Sequence, residues 1–195
     1  MVRKEGRKSI KTIWIFCEGE KTEIYYFQRL KAKERILFNV KINTSEQKNA
    51  IGLVNHICRY KQTHTRDFLK EDIIYCIFDR DANSNDEFSH AEKIAKENGI
   101  EIIFSNPSFE YWILSHFGYY SNRFEKENLT AKLEKQISGY KKNDKDIYDK
   151  TESKIKEAII NAKRINKTHD KILCRESNPS TQIFRVIEKF KELKR

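Results

Sequence analysis

Tyr75-Cys76-Ile77-Phe78-Asp79-Arg80-Asp81 is the stretch on which the reading of this chain turns. An apolar run from Ile73 to Phe78, rich in aromatic and β-branched residues, stops abruptly at two acids one residue apart. A run of that length and make-up is expected to be a buried strand. A strand apolar on both faces belongs in a parallel sheet covered on both sides. In such sheets the chemistry lies just beyond the carboxyl ends of the strands, where Asp79 and Asp81 fall. With one residue between them, the two carboxylates can share a side as the strand runs out. Two hard oxygen ligands at close range repel each other unless a cation sits between them. Magnesium suits such a place, because it uses few carboxylates and keeps several waters. Asp-x-Asp is by itself a weak signal, and the plainer reading is a polar turn that caps the following helix.

Upstream, Thr12 to Cys17 is a second apolar strand candidate, and it too ends in acids: Glu18-Gly19-Glu20-Lys21-Thr22-Glu23. Gly19 permits a tight turn. Thr22 is the expected N-cap of a helix from Glu23 to about Lys33, with Ile24, Phe27 and Leu30 at helical spacing. The turn is not a phosphate cradle, since it has one glycine and its acids would repel phosphate unless a metal intervened. Glu20 and Glu23 can each be read as a first-turn acid that complements the helix dipole, and for Glu20 this is the simpler reading. Glu18 sits instead at the strand's carboxyl end. Phe38 to Asn43 alternates as a shorter strand, and Ala50 to about Tyr60 reads as a helix. His56 and His64 have no neighbours at zinc-ligand spacing and read as solvated polar residues.

Downstream, Asp86 to Asn98 is a helix closed by the C-cap signal Asn98-Gly99. Glu101 to Phe104 is a fourth strand. It runs into Ser105-Asn106-Pro107-Ser108-Phe109-Glu110 and a helix from Tyr111 to Phe117. Glu110, in that helix's first turn, reads either as a dipole partner or as a further carboxylate of the cluster. Strands alternating with helices predict an α/β fold with a mostly parallel central sheet flanked by helices. Right-handed crossovers can then bring the ends of the first and third strands together, so that Glu18 meets Asp79 and Asp81.

From about Tyr119 the character changes, as apolar residues thin out and lysines rise. Glu125 to Ile137 and Thr151 to Ile165 have helical spacing. Between them Tyr140-Lys141-Lys142-Asn143-Asp144-Lys145-Asp146-Ile147-Tyr148 reads as a basic, aromatic loop that either grips a phosphate backbone or is an exposed linker. Asn178-Pro179-Ser180-Thr181 is expected to open a last helix, Gln182 to Leu193. Residues 1–118 thus form the core and 119–195 a helical extension packed on it, within one domain.

The 195 residues carry 39 Lys plus Arg against 29 Asp plus Glu, a net charge of +10 that favours polyanionic partners such as nucleic acid. Cys17, Cys58, Cys76 and Cys174 are far apart, so free thiols are expected, buried at Cys17 and Cys76, which fits a reducing cytoplasm. No apolar run approaches a membrane span. The basic stretch Met1 to Lys11 leads into too short an apolar run to suggest a signal peptide.

Glu18-Gly19 after one strand and Asp79-x-Asp81 after a later one resemble the Toprim fold of primases, topoisomerases and the overcoming-lysogenization-defect nucleases. The likeness to one subfamily covers roughly residues 12–193. Phe16-Cys17-Glu18-Gly19-Glu20-Lys21-Thr22-Glu23, Phe78-Asp79-Arg80-Asp81, Ser105-Asn106-Pro107-Ser108-Phe109-Glu110-Tyr111-Trp112, Tyr140-Lys141-Lys142 and Asn178-Pro179-Ser180-Thr181 are similar to the RloB family. The resemblance implies a restriction-linked or abortive-infection defence protein, encoded beside an AAA-type or ABC-type ATPase. It makes Glu18 the Toprim glutamate and Asp79 and Asp81 the Toprim aspartates. Glu23 stands where related nucleases carry a second acid, and Glu110 in the family's Asn-Pro-x-Phe-Glu segment.

The expectation is a Mg2+- or Mn2+-dependent endonuclease acting on DNA or RNA. Glu18, Asp79, Asp81 and Glu110 would be its catalytic residues, and Glu23 would join them in holding one or two metal ions. Lys141, Lys142 and Lys145 are the expected nucleic-acid contacts, with Lys142 the candidate to offset the charge of the transition state. The competing expectation is a non-catalytic nucleic-acid-binding or partner-binding subunit whose acidic site is structural. A homo-oligomer is compatible with either.

Overall fold

The computed structural model describes residues 11–18, 21–34, 38–47 and 49–194. Up to Asn106 strand and helix alternate: β1 (Thr12–Cys17), α1 (Lys21–Lys33), β2 (Asn39–Thr44), α2 (Ala50–Thr63), β3 (Ile73–Asp79), α3 (Asn85–Glu97) and β4 (Glu101–Asn106). Then come α4 (Glu110–Leu114), a 3-10 turn at Ser115–Phe117, α5 (Lys126–Gln136), α6 (Ile147–Thr151), α7 (Ile155–Asn166), β5 (Ser180–Thr181) and α8 (Ile183–Glu192). The described strands form one sheet in the order β2-β1-β3-β4-β5, parallel except for the β4–β5 pair. This is the α/β architecture that the alternation of apolar runs predicts.

Both faces of the central strands are buried, because successive side chains point to opposite sides. Trp14, Phe16, Ile74, Cys76 and Phe78 meet α2 and α3 through Leu53, Val54, Ile57, Phe88 and Ala91. Ile13, Ile15, Cys17, Tyr75 and Ile77 belong to the opposite layer, with Tyr26, Phe27, Trp112, Leu129, Ile147, Val186 and Phe190. That second cluster draws on the core and on the extension alike. At the amino ends of the strands, Asp72 accepts hydrogen bonds from the Thr12 N–H (2.8 Å), the Trp14 indole N–H (2.9 Å) and the Leu69 N–H (3.0 Å). The one polar atom of the buried Trp14 side chain is thereby satisfied, and the start of β3 is fixed against β1. The cysteines are free thiols, with Cys17 and Cys76 buried as expected. Among the described residues no helix is long and apolar enough to cross a membrane.

The structure departs from the expected elements in three places. Thr22 does not cap α1 but lies inside it, and its hydroxyl accepts a hydrogen bond from the Asn143 N–H at 3.1 Å. A partner 121 residues away has taken the oxygen that a local cap would have used. The helix expected over Thr151 to Ile165 is split. α6 begins at Ile147, and a 3-10 turn at Glu152–Lys154 separates it from α7. The bend lets Ile147 and Tyr148 pack beside α1 while Ile155 and Ala158 face the Ser115–Phe117 turn. Finally, Ser180 and Thr181 do not open a helix but form the edge strand β5, with the Thr181 and Ser105 hydroxyls 2.9 Å apart. The extension is therefore not purely helical, since it adds a strand to the sheet.

Candidate active site

Parallel pairing of β1 with β3 places their carboxyl ends side by side. Glu18, just past β1, meets Asp81, just past β3, and the two carboxyl groups share a hydrogen bond. Asp79 is the last residue of β3 and continues the row of Tyr75 and Ile77, so its carboxylate turns into the α1/α4 layer and is 6% exposed. Asp81 lies in a turn with φ of 38°, a region that Asp tolerates better than most residues. The turn is tied down on both sides. The Arg80 N–H donates to the Ser105 carbonyl at 3.0 Å, while buried Asn83 accepts from the Ala50 N–H (2.9 Å) and donates to the Arg80 carbonyl (3.1 Å).

Two further acids reach Asp79 from helix starts. Glu110 opens α4 directly after β4 and accepts a hydrogen bond from the Ser108 hydroxyl at 2.6 Å. Glu23, in the first turn of α1, is 1% exposed. With Asp79 they line a cavity of about 40 Å³ that Thr22, Ser108, Phe109, Lys126, Thr130 and Lys142 complete. That volume admits a few waters or an ion but no nucleotide. Glu18 and Asp81 meet beside this cavity, and Asp79 connects the two groups. Gly19 and Glu20 lie outside the described residues.

Lys126 is the member of this cluster that the sequence reading missed. It is the first residue of α5, and its ammonium forms ion pairs with Asp81 and, at 3.8 Å, with Asp79. In the sequence the base nearest these acids is Arg80, which stands between them. Arg80 points elsewhere, with its guanidinium 3.8 Å from Glu125. Lys126 stands in a lysine-rich polar stretch with nothing to single it out.

The electrostatics follow from this packing. Burial, then the neighbouring Asp81, pushes Glu18 up to about 8. Burial, then Glu110, raises Asp79 well above the carboxylate range. Burial works against the charged form of Lys126, but Asp79 and Asp81 outweigh it and its ammonium is held more firmly than usual. Carboxylates this crowded and this dry resist full ionisation, and a positive charge relieves them.

The basic loop divides. Lys142 reaches the acidic cavity, Lys145 lies over the Tyr25 ring with its ammonium 5.6 Å from the centroid, and Lys141 is exposed. The aromatics of this stretch, Tyr140 and Tyr148, are buried in the core, so the stretch is anchored rather than a free linker.

Among the described residues no three His, Cys, Asp or Glu side chains converge as a ready-made metal cage. The residues present nonetheless fit a hard divalent cation. Asp79 and Asp81 already share one cationic group, and a magnesium ion needs only one or two protein carboxylates.

Fold and site together define a class of protein: a mostly parallel α/β domain with acids gathered at the carboxyl ends of adjacent central strands. A family model described as RloB-like protein matches residues 13–190, and the chain belongs to the RloB-like family. No curated protein and no solved structure matches it.

Proposed function

We propose that this chain is a Toprim-type, divalent-cation-dependent nuclease that cleaves phosphodiester bonds in DNA or RNA as part of an anti-phage defence system, acting beside an ATPase. One observation carries the reading: Glu18 from β1 and Asp79 and Asp81 from β3 are brought together at the strand ends, with Lys126 in their midst. Asp79 and Asp81 would hold Mg2+ or Mn2+, and Glu23 and Glu110 are placed to help with a second ion on the cavity side. A bound ion of this kind supplies an activated water and offsets charge on the leaving oxygen. Glu18, with its raised proton affinity, is suited to take a proton from the attacking water. Lys126 and Lys142 bring positive charge next to the acids, where a phosphate must approach. The cavity is too small for a nucleotide, so a polymer would lie across the surface and present one phosphate at its mouth.

A second reading draws on the same ion pairs. If Lys126 neutralises the acids permanently, the cluster is structural and the chain is a binding subunit of a defence complex. The test is to incubate the purified chain, with and without its ATPase, with labelled DNA and RNA in Mg2+ or Mn2+ and in chelator. Metal-dependent cleavage that Glu18→Gln and Asp79→Asn abolish supports the nuclease. No cleavage in any condition, or equal cleavage by Glu18→Gln, overturns it.

A further inference from the structure

Lys126 occupies the place that the proposed function gives to a metal ion. Resting on that reading, we infer that the Lys126 ammonium is a built-in occupant of the cation site, bridging Asp79 and Asp81 until a divalent ion displaces it.

The ion pairs connect α5 to the carboxyl end of β3 and the turn beyond it, the one with Asp81 across 45 residues of sequence. The position of Lys126 is itself fixed. Phe124, two residues earlier, is held at both backbone polar groups by the Asn178 side chain, and Glu125 faces Arg80. The Lys126 side chain is 39% exposed, against 8% for that of Asp79. The ammonium therefore has a way out towards solvent, while the carboxylate does not. Held in the bridge, it offsets the repulsion that would otherwise fall on buried Asp79 and its neighbours. A divalent ion carries twice the charge and approaches oxygen at about 2.0–2.1 Å, closer than an ammonium can. The tethered ammonium has the opposing advantage of a high effective concentration. Metal binding is then an exchange, and the apparent affinity is reduced by the fraction of time that Lys126 holds the site. This exchange keeps the folded protein intact without metal and leaves the released ammonium on α5, beside the mouth of the acidic cavity.

The experiment compares Mg2+ titrations, followed by calorimetry, of the wild type, Lys126→Met and Lys132→Met. Methionine keeps the length of the side chain and removes its charge. Lys132 lies on the same α5 helix over the Tyr120 ring, so its loss changes net charge equally without vacating the bridge. Lys126→Met is expected to bind Mg2+ roughly tenfold more tightly or better, and Lys132→Met within about twofold of wild type. The wild type gives a second measurement that needs no variant to fold. Labelling of Lys126 by an amine-reactive reagent, read by peptide mass spectrometry, should rise when Mg2+ saturates the protein.

Unchanged or weaker Mg2+ binding by Lys126→Met overturns the exchange, as does equal tightening in both variants, which would mark a general field effect. Labelling of Lys126 that stays constant as Mg2+ binds also overturns it. In each of these cases Mg2+ still binds the wild type, so the cation reading stands. If neither the wild type nor any variant binds Mg2+, the cation reading fails and the exchange with it.

Discussion

Asn178 holds Phe124 by both of its backbone polar groups: it accepts a hydrogen bond from the Phe124 N–H at 3.0 Å and donates one to the Phe124 carbonyl at 2.7 Å. The pair is buried and spans 54 residues, and it fixes the chain two residues before Lys126. Asn178→Ala would leave both groups unpaired. The expected cost is about 1–3 kcal/mol for each buried group left without a partner, checked by urea unfolding. The start of α5 should loosen with it, and the metal-free protein should then show faster amine labelling at Lys126. Unchanged stability and labelling would remove Asn178 from this role.

Asp79→Asn tests the centre of the site. Asparagine keeps the shape and removes one of the crowded negative charges, so stability should hold within about 1 kcal/mol. Lys126 retains Asp81 as a partner. Mg2+ affinity and cleavage should both fall by more than the roughly 10–100-fold that loss of an outer-shell partner costs. Metal-dependent cleavage at the wild-type rate would reject Asp79 as a ligand.

At the other end of the sheet, Asp72→Ala should destabilise the fold and spare the chemistry. It leaves the indole N–H of Trp14, which is 0% exposed, without its partner. A loss of about 1–3 kcal/mol is expected from thermal or denaturant unfolding, with Mg2+ affinity unchanged. A change in Mg2+ affinity would mean that the two ends of β3 are coupled.

His116 gives one separable part of the pH dependence. It is buried, with Nδ1 against the Trp112 and Ile113 carbonyls at 3.0 and 3.2 Å, and burial lowers it from an ordinary 6.5 to about 4. Between those values the unfolded chain binds a proton that the folded one does not, so stability rises with pH. The full contribution is present above about pH 6.5 and is lost as pH falls towards 4, up to about 3 kcal/mol. Glu18 and Asp79, both raised, act in the opposite direction as pH rises above the ordinary carboxylate range, so the His116 contribution is read as the difference between unfolding curves of the wild type and His116→Gln at intervals from pH 7 to 4. An unchanged slope in that variant would assign the acid sensitivity to other groups.

If nucleic acid is the partner, the three lysines of the basic stretch should separate. Lys142→Ala, at the acidic cavity, should weaken binding and reduce the salt slope by roughly one unit if it meets a phosphate. Lys145→Ala should do less, because that side chain is spent over Tyr25. Equal effects at both positions would place the polymer across α1 as well as the cavity.

The local patterns of the chain were enough to determine the strands, most of the helices and the acids at the strand ends. Apolar runs such as Thr12–Cys17 and Ile73–Phe78 can satisfy both their faces only inside a covered parallel sheet, and parallel strands align their carboxyl ends. Glu18, Asp79 and Asp81 were therefore legible as neighbours before any coordinates, although Glu23 and Glu110 looked equally like ordinary helix-start acids. Only the tertiary structure put Lys126 on Asp79 and Asp81, spent Thr22 on Asn143, turned Ser180 and Thr181 into an edge strand and bent the chain between α6 and α7. Each of these depends on contacts far apart in sequence, across 45 residues for Lys126 and Asp81 and 76 for Ser105 and Thr181. A lysine among lysines, or a Ser-Thr pair just after a proline, carries no periodicity that reports such a partner. The pairing is decided by which surfaces the packed sheet and helices bring within reach.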